Sequence, residues 1–286
     1  MKVTAARVGA TLRAWGGLRR LTLPLSGMLA VGILAAPAAA QSIADGELVS
    51  SRGPQATVLM SSPQGEGRLI ESFGDLSTAR HVAVLVPGVS WTGPLVRDEH
   101  ETTRRHPAVQ ARALLAEMER LDPATPAAVV VWLNYDPPPG LDADAAQSVR
   151  ALEGAPRLIS FVNSLDRRTR VTLVCHSYGS VVCGHAASRL RAASIIAIGS
   201  PGMDVGRAAE LHARASVWAA LAPDDPIALV PHTRVDGYGH GANPAAPEFG
   251  ALALPDDGAH GHNGYLAPGS QSLVSIADLA VGRPVS

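Results

Sequence analysis

The chain has 286 residues, with 24 Lys and Arg against 25 Asp and Glu, and its formal net charge is −1. Without residues 1–40, which hold five basic residues and no acidic one, 246 residues with a net charge of −6 remain. This balance excludes the broad basic surface that nucleic acids require, and the length suits one domain with a sizeable core.

The first 40 residues have the pattern of an export signal. Five basic residues precede an apolar stretch at 21–36, and a run of small residues follows and ends at Ala40. The apolar stretch is short for a span of about 20 residues and contains Pro24. We therefore predict a signal peptide over 1–40 that is cleaved near Ala40, and one domain over 41–286. The mature chain is then secreted or held in the cell envelope, without a stable membrane span.

Predicted strands and helices alternate along the mature chain. Strands are expected at 55–60, 68–73, 81–86, 127–133, from 171 to the turn at 176, and at 194–198, 216–220 and 249–254. Helices are expected at 107–121, at 142–165 with a break near Pro156, from the turn at 176 to about 192, and briefly at 206–212. This alternation is typical of a doubly wound, mostly parallel α/β sheet with helices on both faces.

The loop Val86-Pro87-Gly88-Val89-Ser90-Trp91 follows the predicted strand 81–86. Carboxyl ends of inner strands are where α/β sheets build their sites. Pro87-Gly88 would also suit an ordinary turn.

Ser177 lies between a predicted strand and a predicted helix. The run Cys175-His176-Ser177-Tyr178-Gly179 fits the G-x-S-x-G pattern of a nucleophile elbow, except that Cys175 replaces the first glycine. In such a turn the serine hydroxyl projects into a site, and the following helix points its N-terminus at it. The pattern indicates a nucleophilic serine.

Cys175 and Cys183 are the only cysteines in the sequence. Export would permit a disulfide between them. If the helix packs back along its strand with Cys175 beside Gly179 and Leu173 beside Cys183, however, the two Cα atoms lie beyond the limit of about 7 Å for a bridge. We therefore predict two buried free thiols.

Three aspartates could supply the carboxylate that holds an imidazole in one tautomer and stabilises its charged form. Asp224 and Asp225 follow the predicted strand 216–220, and Asp204 follows the strand before it. Asp225 is preferred because Asp225-Pro226-Ile227 combines an acid with a turn residue and an apolar anchor. Asp224 is the close alternative, and Asp204 is a distant one.

Histidine is the natural base for a serine in this chain, because Lys2 is the only lysine and a Ser-Lys dyad is excluded. The loop after the last predicted strand contains His260 and His262. These two residues, together with His232, His240, Asp236, Asp256 and Asp257, also have the side-chain chemistry of metal ligands. No tight ligand spacing occurs among them, so no metal is predicted.

The sequence resembles the α/β-hydrolases, and more narrowly a secreted bacterial α/β-hydrolase domain family of unknown function. Five phrases carry the resemblance, in the family's order over about 180 residues. They are Val86-Pro87-Gly88-Val89, Cys175-His176-Ser177-Tyr178-Gly179-Ser180, Gly199-Ser200-Pro201-Gly202-Met203, Ala222-Pro223-Asp224-Asp225-Pro226-Ile227 and Gly261-His262-Asn263-Gly264-Tyr265.

The resemblance implies a serine hydrolase without a settled substrate. It implies Ser177 as nucleophile, Asp225 as acid and His262 as general base, with His260 as the alternative base. It also implies that the backbone N–H groups of Val89 and Tyr178 form the oxyanion hole.

These observations predict an exported serine hydrolase, esterase-like or lipase-like, that acts on a small-molecule or lipid ester through an acyl-enzyme. No cofactor and no nucleic-acid partner are expected. The alternative is an exported, non-catalytic binding protein on the same scaffold, because a fold does not fix a function. The order serine, aspartate, histidine argues for the enzyme. The glycine-rich segment 231–247 suits a cover over the serine and an ordinary surface loop equally well.

Overall fold

The computed structural model describes residues 56–65, 67–97 and 103–285. The predicted signal peptide, residues 1–40, and its cleavage position near Ala40 lie outside these described residues. Within the described ranges, no helix has the length and apolar character needed to cross a membrane.

Eight strands of the described chain form one sheet. In chain order they are β1 (Thr57–Ser62), β2 (Arg68–Phe73), β3 (His81–Val86), β4 (Ala127–Leu133), β5 (Arg170–His176), β6 (Ser194–Ile198), β8 (Ser216–Ala220) and β10 (Leu252–Ala253). Their spatial order is β1-β2-β4-β3-β5-β6-β8-β10. β2 pairs antiparallel with β1 and with β4, and the other neighbours are parallel. The short strands β7 (Gly202–Val205) and β9 (His240–Gly241) form a separate parallel pair.

Helices cover both faces of the main sheet. They are α1 (Gly93–Val96), α2 (Pro107–Leu121), α3 (Val149–Ser164), α4 (Gly179–Ala186) and α5 (Gln271–Val281). α2 packs against α5, and α3 packs against α4. From β3 the chain crosses to β4 on one side and then to β5 on the other, so right-handed crossovers place α2 and α3 on opposite faces. The predicted doubly wound, mostly parallel α/β fold is confirmed.

The strand order reverses between β3 and β5. These two strands pair in parallel, and Val86 at the end of β3 lies beside Cys175 near the end of β5. The crevice outside the carboxyl ends of the strands at such a point is where open α/β sheets bind ligands. The loop after β3 and the turn after β5 therefore meet at the expected position of a site.

The inner strands form the core. β4 and β6 are buried at every residue, and β3 and β5 at every residue except the first. Their continuous apolar runs suit strands that are covered on both faces. Trp132 on β4 is fully buried and stacks on Tyr135, with ring centroids 6.0 Å apart. Tyr135 is thereby held below the loop that follows β3.

Most strand predictions are confirmed, and one is wrong. The predicted ranges 68–73, 81–86, 127–133, 194–198 and 216–220 match the structure, whereas β1 begins two residues later than expected. Of the predicted strand 249–254, only Leu252–Ala253 pairs, with β8. Pro247–Phe249 forms a 3-10 turn, and Gly250 adopts a φ of 81°, which interrupts an extended run.

The helix predictions needed more correction. α3 begins at Val149 because the Asp142 side chain accepts from the backbone N–H of Asp144 and holds a turn there. The expected break at Pro156 is wrong, and the helix continues through it. Proline leaves the carbonyl of Leu152 without its helical donor, and Leu152 is exposed, so water can reach that turn.

Other helical segments also differ from their predicted ranges. The elbow helix ends at Ala186 and continues only as a 3-10 turn over Ala187–Arg189. The predicted helix at 206–212 is a 3-10 turn, Ala208–Leu211. The sequence analysis did not predict α5, although Ser270 caps its start by accepting from the N–H of Leu273, and Gly282 ends it.

The prediction of two free thiols is wrong, because Cys175 and Cys183 form a disulfide with a Cα–Cα distance of 6.4 Å. The predicted register placed Gly179 beside Cys175, so it made the helix run back along the strand too early in the sequence. α4 starts at Gly179, so Cys183 lies four residues, or about 6 Å, back along the helix. Cys175 lies two residues, or about 6.6 Å, back along β5 from Ser177. The two cysteines are therefore level, and the bridge ties β5 to α4 directly behind the turn.

Candidate active site

Ser177 occupies the turn between β5 and α4. Its φ is 55°, in the left-handed region, and the residue is only 3% exposed. Such a strained conformation is the mark of a nucleophile elbow. Gly179 allows the turn to close, since a Cβ at this position would collide with the carbonyl oxygen of Val86. The predicted strand, tight turn and helix around Ser177 are confirmed.

The loop after β3 passes directly over Ser177. A Cβ on Gly88 would lie 2.6 Å from the Ser177 Cβ and 3.0 Å from its Oγ, so only glycine fits there. The Tyr135 hydroxyl donates to the Pro87 carbonyl at 2.6 Å, and the Ser90 N–H donates to the Pro138 carbonyl at 2.9 Å. These two hydrogen bonds fix the loop from both ends.

The backbone N–H groups of Val89 and Tyr178 are available as donors at this point. Neither donates a hydrogen bond to any residue that the structure describes. Tyr178 is 1% exposed, and buried N–H groups are seldom left without an acceptor. Two such donors beside a strained serine suit the charge of a developing oxyanion.

Asp225 and His262 form a hydrogen-bonded pair in which the carboxylate is buried and the imidazole is partly exposed. The Nδ1 atom of His262 lies 3.0 Å from both carboxylate oxygens of Asp225, which is 2% exposed. Because a carboxylate only accepts, Nδ1 carries the proton, and Nε2 is the nitrogen that can act as a base. Burial alone would raise the pKa of Asp225, but hydrogen bonds from His262, Tyr265 and the N–H of Ile227 lower it. The carboxylate is therefore ionised.

The serine and the Asp225–His262 pair lie at the same edge of the sheet. The N–H of Ser177 donates to the carbonyl of Ile198, the last residue of β6. A Cβ on the next residue, Gly199, would lie 2.8 Å from Asp225 Oδ2 and 3.1 Å from His262 Nδ1. No hydrogen bond joins Ser177 to His262 in the described chain; such bonds often become short only when substrate binds.

His176 supports the loop that carries His262. Its Nε2–H donates to the His262 carbonyl at 2.6 Å, and the two imidazole rings lie 4.6 Å apart. Burial, helped by the nearby His262 ring, lowers the pKa of His176 to about 3. His176 is therefore a neutral donor. The sequence analysis assigned it no role, although it adjoins the serine within the elbow phrase.

Tyr265 supports Asp225 from the other side. Its hydroxyl donates to Asp225 Oδ2 at 2.6 Å and accepts from the N–H of Ala222 at 3.0 Å. Burial, together with the hydrogen bond to Asp225, raises the pKa of Tyr265, so the hydroxyl keeps its proton. Its place in the phrase Gly261-His262-Asn263-Gly264-Tyr265 was the only signal in the sequence, and no role followed from it.

Asp224, the close alternative acid, does not contact His262. Its carboxylate accepts from the N–H of Gly261 at 2.8 Å and lies 3.3 Å from Nδ1 of His260, the alternative base. The side chains of Asp224 and His260 are 55% and 82% exposed. Asp224 and His260 therefore contact each other on the solvent-exposed side of the loop, whereas Asp225 and His262 meet on its inner side.

Asp204, the distant alternative acid, is a buried carboxylate with a different set of partners. Its carboxylate lies 2.6 Å from His185 Nε2, 3.1 Å from His240 Nδ1 and 3.0 Å from the Arg234 guanidinium. Burial would raise the pKa of Asp204, but the hydrogen bonds from the two histidines hold it far below its usual range. Through Arg234 and His240 this carboxylate fastens the segment 231–247 to α4.

Comparison with known protein families identifies the superfamily of this chain. A family model described as Alpha/beta hydrolase matches residues 62–235, which is more than half of the chain. This protein belongs to the α/β-hydrolase family. The resemblance inferred from the five phrases is thus confirmed at the level of the superfamily.

Curated relatives of this α/β-hydrolase carry no assigned function. Two uncharacterized proteins of Mycobacterium tuberculosis, from strains CDC 1551 / Oshkosh and ATCC 25618 / H37Rv, are each 31% identical over 254 residues. The matched part covers 77% of this chain and 38% of each relative. The chain therefore spans about two fifths of the length of the curated relatives it matches.

Solved structures resemble this α/β-hydrolase at low sequence identity. A dienelactone hydrolase from Anabaena variabilis is 15% identical, with 80% of this chain and 96% of that chain covered and a TM-score of 0.46. An α/β serine hydrolase without a lid from Xanthomonas campestris is 11% identical, with 79% and 92% covered and a TM-score of 0.40.

The described part of this α/β-hydrolase contains no group of three or more His, Cys, Asp or Glu side chains placed to hold a metal ion. Three of the four candidate histidine ligands contact other groups within the described chain. His240 bonds Asp204 and the Ala145 carbonyl, His260 lies beside Asp224, and His262 bonds Asp225.

Proposed function

We propose that this α/β-hydrolase is a serine hydrolase that cleaves carboxylic esters through an acyl-enzyme. The observation that carries the proposal is the pair of buried Asp225 and partly exposed His262, whose free Nε2 lies at the same sheet edge as the strained Ser177. A buried carboxylate, an imidazole with one uncommitted nitrogen and an elbow serine are the parts that nucleophilic acyl transfer requires.

The proposed acylation proceeds by addition and elimination through one tetrahedral intermediate. Ser177 Oγ attacks the ester carbonyl carbon while His262 Nε2 removes the hydroxyl proton. The carbonyl oxygen becomes an oxyanion, which the N–H groups of Val89 and Tyr178 stabilise. The tetrahedral intermediate collapses, the bond to the leaving oxygen breaks, and His262 returns the proton to form the alcohol.

Deacylation repeats these steps with water in place of the serine. His262 takes a proton from water, the resulting hydroxide attacks the acyl carbon, and Ser177 leaves with the proton from His262. Asp225 keeps the imidazole in one tautomer and stabilises its charged form throughout. The reaction needs no group beyond the residues of this chain.

We also propose that the protein is exported after removal of residues 1–40. The support is the Cys175–Cys183 disulfide, since such bonds persist in oxidising compartments and are rare in the cytosol of mesophiles. Sequencing of the N-terminus of protein recovered outside the cytoplasm tests this, and a start at Met1 would contradict it.

The test of the proposed function combines turnover with covalent labelling. The purified protein should hydrolyse short-chain p-nitrophenyl esters and react with a fluorophosphonate probe, and Ser177→Ala should abolish both. Ser164→Ala, which alters an exposed serine at the end of α3, is the matched control and should behave as wild type. Hydrolysis that survives Ser177→Ala would overturn the assignment, and folded protein without turnover or labelling would favour the non-catalytic binding protein.

A further inference from the structure

A cleft of about 600 Å³ lies away from the proposed active site, at the opposite edge of the sheet. Arg191 and Ala192 on its wall immediately precede β6, and Arg214 precedes β8. Residues that precede parallel strands lie at their amino ends, whereas Ser177 follows β5 at its carboxyl end. We call this feature the arginine cleft.

Its wall is strongly basic. Four arginines line it, namely Arg167, Arg189, Arg191 and Arg214, with Asn163, Ser188, Leu190 and Ala192. A second cleft of about 300 Å³ shares Arg191 and Ala192 with it and adds Arg168 and Arg170. Six arginines and no carboxylate therefore line two adjoining clefts of a chain whose predicted mature charge is negative.

Three of these arginines have no partner within the described chain. The guanidinium groups of Arg167, Arg189 and Arg214 make no hydrogen bond or ion pair with any described residue, and all three are exposed. Arg191 is held in place, because its Nη2 donates to the Leu165 carbonyl at 2.6 Å. The carboxylate of Asp166, next to Arg167 in the sequence, is paired with Arg168 at 2.9 Å.

Gathering cations without a neutralising carboxylate costs electrostatic repulsion, which a bound anion would relieve. The guanidinium group offers a planar fork of donors that fits phosphate oxygens in pairs. Phosphate has enough oxygens to take such forks from several arginines at once, whereas one carboxylate is filled by one fork. The volume lies within the usual range of about 300–1,000 Å³ for small-ligand sites.

We propose that the arginine cleft binds a phosphate-bearing anion, either a free small molecule or a lipid headgroup. This site lies beyond the ester-hydrolysis chemistry, and no residue of the Ser177 site takes part in it. Its test therefore rests on binding, and its outcome does not depend on whether the protein is an esterase.

The test measures binding of inorganic phosphate by calorimetry and of vesicles by co-sedimentation. The variant is R167Q/R189Q/R214Q. The matched control is R120Q/R207Q/R283Q, which removes the same charge from arginines that pair with Glu117, Glu210 and Asp278 elsewhere. The cleft variant should weaken binding at least about tenfold, and the control by less than about twofold.

The two arms identify the source of the phosphate. Binding to phosphatidylglycerol vesicles but not to phosphatidylcholine vesicles assigns a lipid headgroup, and binding of phosphate alone assigns a free anion. Wild-type protein that binds neither, or a control variant that loses as much as the cleft variant, would overturn the proposal.

A third measurement needs no variant. Phosphate should protect Arg189 and Arg214 of the wild-type protein from phenylglyoxal, with the modified residues located by mass spectrometry. Protection of arginines elsewhere and not in the cleft would contradict the proposal. Because the measurement uses wild-type protein, it stays decisive if the triple variant does not fold.

Discussion

Two buried carboxylates, Asp225 and Asp204, each contact a histidine, but they differ in which ring nitrogens of their partners stay without a hydrogen bond. Asp225 is bonded to one imidazole, that of His262, and the far nitrogen of this ring accepts no hydrogen bond from any described residue. Asp204 is bonded to His185, His240 and Arg234, and the far nitrogen of His240 donates to the Ala145 carbonyl.

The difference shows that burial and a histidine partner do not by themselves make an acid–base system. The pKa of both carboxyl groups is lowered, and both stay ionised. Only the Asp225 pair keeps an uncommitted ring nitrogen at the sheet edge that carries Ser177, whereas in the Asp204 group both ring nitrogens of His240 are bonded. The Asp204 group uses its polar atoms to hold β9 and the segment before it against α4.

The largest effect on kcat is expected when Ser177, the proposed nucleophile, is substituted. Ser177→Ala should lower kcat about 10⁵-fold or more, because it removes covalent catalysis altogether. Steady-state kinetics with a p-nitrophenyl ester measures this. A loss of less than about tenfold would place the nucleophile elsewhere.

Substitution of the two carboxylates should separate their roles. Asp225→Asn should lower kcat about 10⁴-fold with little change in KM, because the amide no longer fixes the His262 tautomer. Asp204→Asn should change kcat by less than about threefold, and Asp224→Asn is the matched exposed control. Equal losses in kcat for Asp225→Asn and Asp204→Asn would remove the distinction drawn between the two groups.

Asp204→Asn should instead reduce stability. It leaves two histidines and an arginine without their common charged acceptor, so the free energy of unfolding should fall by about 2–4 kcal/mol. Urea unfolding at pH 7 measures this change. An unaltered midpoint would mean that the Asp204 group does not hold the segment 231–247 in place.

Tyr265→Phe tests the contribution of the Tyr265 hydroxyl to the Asp225 site. Losing a charge-assisted hydrogen bond to the carboxylate should lower kcat about tenfold and move the acid limb of the pH–rate profile, because Asp225 becomes more basic towards His262. A purely structural role would lower stability without moving that limb. Ser164→Ala serves as the control for the kinetic assay.

His176 should make stability depend on pH. Its pKa is about 3 in the fold and 6.5 in the unfolded chain, so the unfolded state binds the extra proton between these values. Its contribution is therefore full above pH 6.5 and falls as the pH drops towards 3, by at most about 1.4 kcal/mol per pH unit. Urea unfolding of wild type and His176→Gln at pH 7, 6 and 5 should show a flatter dependence in the variant. Parallel curves would contradict this.

Much of the fold and the central residues of the site were predictable because their signals are local. The inner strands are continuous apolar runs, and the elbow phrase around Ser177 is a strand, a tight turn and a helix within one short segment. The conformational demand at Gly179 arises from backbone crowding beside Val86, and the spacing of the motif already encodes it. Requirements of this local kind can be recognised in the sequence alone.

Only the tertiary structure decided the features that depend on register and on distant contacts. Whether Cys175 meets Cys183 depends on where α4 turns back, and one misplaced turn reversed the prediction. Tyr265 acquires its partner Asp225 across 40 residues, and the arginine cleft draws Arg167 and Arg214 from separate loops. Net charge and motif spacing do not reveal these contacts. The contacts form only when parallel strands bring the ends of distant segments to one edge of a sheet.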